Sequence, residues 1–177
     1  MELLYSYLIN LFFGVPKEVY ILELLVLCFG VLLISVLVGK KRAGHFCLIM
    51  ILLEYVFLIC CSTIFFRETS NVKTFNFTPF WSYKSIIEGK EHILLEVIMN
   101  IMVFVPVGFL LGMITSKNGW KKSASLGAGL SIVIESVQFC LNKGFSEVDD
   151  VMHNTFGCVI GYGIYYGISE TYKMINK

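Results

Sequence analysis

The segment VYILELLVLCFGVLLISVLV, residues 19–38, decides the fold class. Its twenty residues include one charged side chain, Glu23, and a membrane-spanning helix needs about 20 consecutive, mostly apolar residues. The whole chain of 177 residues is 56% hydrophobic and 15% charged, with a mean hydropathy of +0.76, whereas soluble domains are roughly 25% charged. A soluble fold of this size lacks the interior to bury so much apolar surface. The sequence therefore predicts an integral membrane protein and excludes a soluble enzyme or a disordered chain.

Further apolar segments of similar length follow along the chain. The five predicted spans are residues 19–38, 46–66, 92–115, 123–141 and 151–168. Together they use about 100 residues, which leaves little for a second domain. We therefore expect an all-α integral membrane protein, a compact bundle of about five transmembrane helices. The net charge of +1 argues against a nucleic-acid partner, which favours a basic excess.

The orientation is predicted from the positions of Lys and Arg, which favour cytoplasmic links. The links 39–45 and 116–122 contain basic residues and no acids, so both are expected on the cytoplasmic side. The link that precedes the fifth span is acidic and is expected outside. A multi-pass protein of the cell membrane results, with its N-terminus outside and its C-terminus, residues 169–177, in the cytoplasm.

Residues 1–18 are apolar but short for a span, and Glu2, Ser6, Asn10 and Gly14 form a polar stripe at helical spacing. This pattern predicts an amphipathic helix that is interfacial or re-entrant. A sixth short span, with the N-terminus inside, is the alternative.

Polar side chains recur at one depth in the last three spans. An ionisable residue at the membrane centre costs at least about 2.5–3.5 kcal/mol on insertion scales, so each one needs a reason. On the predicted topology, the third and fifth spans enter from outside and the fourth exits there. The residues concerned are therefore expected to converge around a pocket in the outer half of the bilayer: Glu96, Asn100, Glu135, Gln138, Asp149, Asp150, His153 and Asn154.

Such a cluster has several possible chemistries. Crowded carboxyl groups place a proton donor beside an ionised acceptor, and carboxylates can also bind a divalent cation or an amine. The alternative is a purely structural network that Lys143 or Arg67 neutralises. Asp149 and Asp150 could also cap the N-terminus of the fifth span.

Other features of the spans bear on packing. Three Gly-x-x-x-Gly pairs, 108/112, 157/161 and 163/167, predict close helix contacts, by default within one chain. Pro106 is expected to kink the third span and to favour a cavity there. The six cysteines lie in predicted spans and show no metal-site spacing, so we expect apolar filler and neither a disulfide framework nor a metal site.

Two acids of the first spans and one long link complete the pattern. Glu23 is expected to reach water near the outer end of its span, whereas Glu54 lies near mid-membrane and must be protonated or paired. The link between the second and third spans contains NFTPFWSY, residues 76–83. Its aromatic side chains favour an interfacial anchor, and a lid over the bundle is the alternative.

Four of these segments resemble motifs of the VanZ-like family. NIMVFVPVGF, residues 100–109, is similar to its asparagine–phenylalanine–proline–glycine signature, and ESVQ, residues 135–138, to its glutamate-x-x-glutamine motif. FSEVDDVMHNTFG, residues 145–157, resembles its final acidic motif, and NFTPF, residues 76–80, its asparagine-x-x-proline-phenylalanine element. Lys143 stands where the family often has Arg, which keeps the charge but loses the bidentate fork.

The resemblance implies a VanZ-like membrane domain over residues 45–168, preceded by the amphipathic segment 1–18 and the first helix with its basic loop, 19–44. It also implies a bacterial membrane protein associated with tolerance to teicoplanin-type lipoglycopeptide antibiotics. We expect an acidic pocket that binds a membrane lipid or a lipid-tailed ligand, either the lipoglycopeptide or a cell-wall precursor, without a cofactor. The expected ligand-binding residues are Glu96, Asn100, Glu135, Gln138, Lys143, Asp149, Asp150 and Asn154.

The sequence is also compatible with two alternative functions. An intramembrane enzyme could modify an envelope lipid or a lipid-linked cell-wall precursor, with Glu135, Asp149 or Asp150 as the catalytic candidates. A non-catalytic scaffold for envelope enzymes would use the glycine-rich faces instead.

Overall fold

The computed structural model describes residues 14–37, 40–69, 74–115 and 119–176. These residues form six α-helices: α1 (Lys17–Leu37), α2 (Lys40–Cys60), α3 (Trp81–Ile87), α4 (Glu91–Ile114), α5 (Gly119–Leu141) and α6 (Val148–Ile175). A π-helical turn, Cys61–Phe65, continues α2, and two short strands, β1 (Thr74–Asn76) and β2 (Phe145–Glu147), complete the fold. Of the predicted amphipathic segment, residues 1–13 lie outside the described part of the chain.

The predicted all-α membrane class is confirmed. Four of the described helical segments are long and apolar enough to cross a membrane, namely Lys17–Leu37, Arg42–Phe65, Glu91–Ile114 and Gly119–Leu141. Large apolar side chains stand on their outer surfaces, as with Phe29 (66% exposed) and Val36 (77% exposed) on α1. The fifth predicted span lies inside α6, which is 28 residues long but less apolar because its first turns carry the acidic motif.

The chain divides into two compact units, residues 1–67 and 68–177. In the first unit, α1 and α2 pack against each other. The prediction that Glu23 reaches water is wrong in this structure, since the residue is 8% exposed. Its side chain lines the groove between α1 and α2.

In the second unit, α6 packs against both α4 and α5, and α3 lies against α4. Glycines permit the closest of these approaches: a Cβ atom on Gly161 would lie 1.9 Å from the carbonyl oxygen of Val105. A Cβ atom on Gly108 would lie 1.9 Å from the carbonyl oxygen of Cys158. The small-residue pairs therefore bring α4 and α6 together within the chain, except that Gly163 and Gly167 face open space.

Two local features differ from expectation. The strands β1 and β2 pair in parallel, with Thr74 opposite Phe145 and Asn76 opposite Glu147. Each strand has three residues, too few for an alternating pattern to reveal in sequence. In addition, α4 continues through Pro106 as one helix to Ile114. The polar residues of α4 therefore stand on one continuous helix that packs against α6, and not beside a break in α4.

Candidate functional site

The predicted site residues lie in the second unit, around β2 and the beginning of α6. Glu96 and Asn100 come from the first half of α4, whereas Glu135 and Gln138 come from the last two turns of α5. Because α6 begins directly after β2, the strand pair fixes the position of the acidic residues that follow. We call the following residues the acidic cluster: Glu96, Asn100, Glu135, Gln138, Glu147, Asp150, His153 and Asn154.

One hydrogen bond joins α4 to α6 across this cluster. The Asn100 side-chain amide donates from Nδ2 to Oδ1 of Asp150 at 2.6 Å. The same Asp150 oxygen lies 3.9 Å from Nδ1 of His153. Asp150 therefore connects an amide on α4 with an imidazole one turn further along its own helix.

The His153 side chain is enclosed and has unused hydrogen-bonding capacity. The residue is 2% exposed, and neither of its ring nitrogens has a hydrogen-bond partner in the described part of the chain. The Tyr83 ring of α3 stands edge-on to the imidazole, with ring centroids 5.6 Å apart. An imidazole carries one donor and one acceptor when neutral, so both remain available.

Glu135 holds β2 from the side of α5. Its carboxylate Oε2 accepts the backbone N–H of Glu147 at 3.0 Å, and its backbone carbonyl accepts the Ser146 hydroxyl at 3.0 Å. Ser146 and Glu147, which are adjacent in β2, thus both donate hydrogen bonds to Glu135. Glu135 therefore orients the segment that leads into Asp149 and Asp150.

Glu147 is the acid that the prediction of site residues missed. The indole Nε1–H of Trp81 donates to its Oε2 at 2.7 Å. Burial and, to a smaller extent, the negative charge of Asp150 raise the pKa of Glu147 from 4.5 to about 8, although the Trp81 hydrogen bond acts to lower it. At neutral pH this carboxyl group is therefore mainly protonated and can donate a proton. The only sequence signal was its place in the acidic run before α6.

Asp149 anchors the aromatic loop. Its Oδ1 accepts the backbone N–H of Phe80 at 2.7 Å, and its Oδ2 accepts the backbone N–H and the hydroxyl of Ser82 at 2.9 Å and 2.7 Å. The residue is fully buried. It thus caps the N-terminus of α3 and not that of α6, the helix that carries it, so the cap predicted for the fifth span does not involve Asp149.

The loop that follows β1 is consequently part of the site. Phe80 turns the chain with a φ of 64°, and Trp81 packs edge-on against Phe145, with ring centroids 5.9 Å apart. These contacts, with those to Asp149, hold the loop against β2 and the start of α6. An interfacial anchor, the role predicted for residues 76–83, does not explain these contacts, because such an anchor needs no partner on α6.

The remaining predicted residues border the cluster. Asn154 donates from Nδ2 to the Ser131 hydroxyl at 2.8 Å, and its buried Oδ1 has no partner in the described residues. Gln138 is buried, and its backbone carbonyl accepts the backbone N–H of Lys143 at 2.9 Å. Glu96 is half-buried, and its charge acts on Glu147.

The chemistry available here is that of acids, amides and one imidazole. Glu147 supplies a neutral carboxyl group, Asp150 a carboxylate oxygen, and His153 and Asn154 unused polar atoms. Within residues 14–37, 40–69, 74–115 and 119–176, no group of three or more His, Cys, Asp or Glu side chains has the arrangement of a metal site. The cluster is equipped to hydrogen-bond an uncharged or cationic polar group.

Comparison with known proteins agrees with these motifs. The VanZ/LLP1 family profile matches residues 46–169. The chain belongs to this family. The VanZ protein of Enterococcus faecium is 30% identical over 82 residues, which are 46% of this chain and 50% of that protein. The chain therefore spans about half the length of this VanZ relative. No solved structure gives a significant match.

The match to the family profile confirms the resemblance of this chain to the VanZ-like family. The matched residues 46–169 contain every member of the acidic cluster and the aromatic loop that Asp149 holds. The VanZ-like part of the chain thus includes all of the site.

Proposed function

We propose that this VanZ-like membrane protein binds a lipid-tailed ligand at the acidic cluster. The ligand is a lipoglycopeptide of the teicoplanin type or a lipid-linked cell-wall precursor, and its binding contributes to tolerance of glycopeptide antibiotics. The family and the apolar helices support the membrane setting. The specific ligand is our inference from the polar site beside apolar surfaces.

One observation carries the proposal. His153 is 2% exposed and Asn154 is 5% exposed, and between them they leave three buried polar atoms without a hydrogen-bond partner in the described residues. A buried polar atom without a partner costs about 1–3 kcal/mol, so such atoms are usually satisfied. A ligand that brings hydroxyl or amide groups would remove this cost, and both proposed ligands are rich in them.

The predicted topology gives the depth of the proposed site in the membrane. With the N-terminus outside and the C-terminus in the cytoplasm, the acidic cluster lies in the outer half of the membrane. The sugar and peptide parts of a lipid-tailed ligand would then meet the cluster while the acyl chain stays in the bilayer. Exposed apolar residues beside the site, such as Phe77 and Phe139, provide a surface for that chain.

Ligand-dependent thermal stabilisation tests the proposal. The full chain in lipid nanodiscs is heated with teicoplanin and, as a matched ligand, with teicoplanin from which the acyl chain has been removed. We expect the acylated form to raise the melting temperature of the wild type. Glu135→Gln and Asp150→Asn should lower this stabilisation, because each removes a carboxylate from the cluster.

Glu88→Gln serves as the matched control, because Glu88 is exposed and lies outside the cluster. It should respond to teicoplanin as the wild type does. Equal stabilisation of all four proteins, or equal stabilisation by the deacylated ligand, would contradict binding at the cluster.

The raised pKa of Glu147 favours a second candidate, an intramembrane enzyme. A neutral Glu147 carboxyl could protonate a leaving group while a neighbouring carboxylate accepts a proton, the division of roles that acid–base catalysis needs. In that case expression of the protein would change the composition of envelope lipids, and Glu147→Gln would abolish the change. If expression of the wild type leaves the lipid composition unchanged, the enzyme function is contradicted and the binding function is the one that stands.

A further inference from the structure

The first unit contains a groove between α1 and α2 that is separate from the acidic cluster. Its volume is about 630 Å³, within the range of roughly 300–1,000 Å³ typical of small-molecule sites. Val19, Leu22 and Val26 of α1 line one side, and Leu53 of α2 lines the other. Apart from two glutamates, the side chains that line this groove are apolar or contain only a thiol.

The two glutamates stand at the same level of the helix pair. Glu23 lies six residues after the beginning of α1 and Glu54 six residues before the end of α2, which is about 9 Å at 1.5 Å per residue. The charge of Glu54 acts on the Glu23 carboxyl. Glu23 is 8% exposed, and its Oε1 has no hydrogen-bond partner in the described residues.

Three phenylalanines line the same groove. Phe57 belongs to α2, Phe65 ends the π-helical turn, and Phe66 follows it, and all three line the groove. The rings of Phe57 and Phe65 have centroids 6.3 Å apart. The face of an aromatic ring attracts a cation within about 6 Å, and rings arranged around a quaternary ammonium group are a known mode of recognition.

We propose that this groove binds a hydrophobic organic ammonium ion of small-molecule size. The carboxyl groups supply the opposite charge, the phenylalanine rings contact the ammonium substituents, and Val19, Leu22 and Val26 cover the apolar remainder. An isolated pair of acids among apolar residues is costly, and the positive charge of an ammonium ion would offset that cost. This site is independent of the proposed ligand at the acidic cluster, since its lining residues belong to the first unit.

A pair of isosteric probes separates charge from shape. Benzyltrimethylammonium and neopentylbenzene differ in a positively charged nitrogen replaced by a carbon, so both fit the same volume. Binding to the full wild-type chain in nanodiscs is measured by thermal stabilisation over a range of concentrations. We expect the charged probe to bind at least about tenfold more tightly, which corresponds to roughly 1.4 kcal/mol.

Variants locate the site. Glu23→Gln should weaken binding of the ammonium probe by about tenfold or more, and Phe57→Leu, which keeps both carboxyl groups, should also weaken it. Glu18→Gln is the matched control, because Glu18 lies in the first turn of the same helix, is exposed and does not line the groove. Its affinity should equal that of the wild type.

Three results would overturn this inference. Equal binding of the two probes would show a groove that selects apolar shape alone. If Glu18→Gln lost as much affinity for the ammonium probe as Glu23→Gln, the probe would be attracted by surface charge in general. Unchanged affinity in both Glu23→Gln and Phe57→Leu would place the ammonium elsewhere. The test of the acidic cluster uses teicoplanin, whereas the test of this groove uses the ammonium probe. Either proposal can therefore fail without the other.

Discussion

Replacement of Asp149 by alanine removes the anchor of the aromatic loop. Three donors then lose their acceptor: the backbone N–H of Phe80, the backbone N–H of Ser82 and the Ser82 hydroxyl. Ser82 is 2% exposed, so water cannot replace the carboxylate for its two donors. At about 1–3 kcal/mol for each unsatisfied buried donor, the two buried donors alone predict a loss of about 2–6 kcal/mol.

Thermal unfolding of the variants in nanodiscs, combined with amide hydrogen exchange, measures this effect. For a chain of this size, 1 kcal/mol corresponds to about 2–4 °C in melting temperature, so Asp149→Ala should melt at least about 4 °C below the wild type. Asp149→Asn keeps one acceptor oxygen and should fall less, whereas Ser82→Ala removes a single hydrogen bond and should fall least. The amides of Phe80 and Ser82 should exchange faster in Asp149→Ala.

The order of the three variants is the critical result. If Asp149→Ala melts no lower than Ser82→Ala, and the amides of Phe80 and Ser82 stay protected, Asp149 does not hold the loop as described.

Further predictions concern packing and pH. Gly161→Ala should destabilise the protein by about 1–3 kcal/mol, because the new Cβ would meet the Val105 carbonyl oxygen at 1.9 Å. Gly163 lies on the same helix but faces open space, so Gly163→Ala should be neutral or stabilising in thermal unfolding. Equal losses of stability in the two variants would contradict the close approach of α4 and α6. The pKa of Glu147 is raised from 4.5 to about 8, so the folded chain binds more protons than the unfolded chain, and stability from this group should fall as pH rises from about 4.5 to 8. Glu147→Gln should abolish that part of the pH dependence in melting curves recorded across this range, and an unchanged slope would refute the assignment. Trp81→Phe removes the hydrogen bond that lowers the Glu147 pKa, so the fall should extend to higher pH than in the wild type.

Much of the fold follows from the sequence because membrane-spanning helices have a strong and local signal. The apolar run at residues 19–38 and its successors fix the helix class, since the bilayer allows few other structures for such segments. The meeting of Asn100 and Asp150 was also predictable. On the predicted topology, three spans that cross in alternate directions place their polar ends on one side.

The contacts of individual acids could not be predicted in this way. Asp149 and Asp150 are neighbours in sequence, but one faces the aromatic loop and the other faces Asn100. That division depends on the pairing of β1 with β2, which joins residues about 70 positions apart through two three-residue strands. The role of Glu147 depends on the indole of Trp81, 66 positions earlier, and on burial that appears only after folding.

The burial of Glu23 was missed for a related reason. Its position near a helix end indicates that it could reach water, and helix periodicity alone does not say which face meets a neighbour. Within the described residues, the packing of α2 onto α1 forms the groove that this carboxyl group lines.

We propose that carboxyl and amide groups from α4, α5 and α6 form one site for a lipid-tailed ligand. Native mass spectrometry of the purified protein tests this claim most directly, by comparing the lipids that remain bound to the wild type, Glu135→Gln, Asp150→Asn and the control Glu88→Gln. We predict that the wild type and Glu88→Gln retain the same lipid-tailed species, and that both cluster variants lose it while remaining folded. The same bound lipids at the same occupancy in all four proteins would contradict the site.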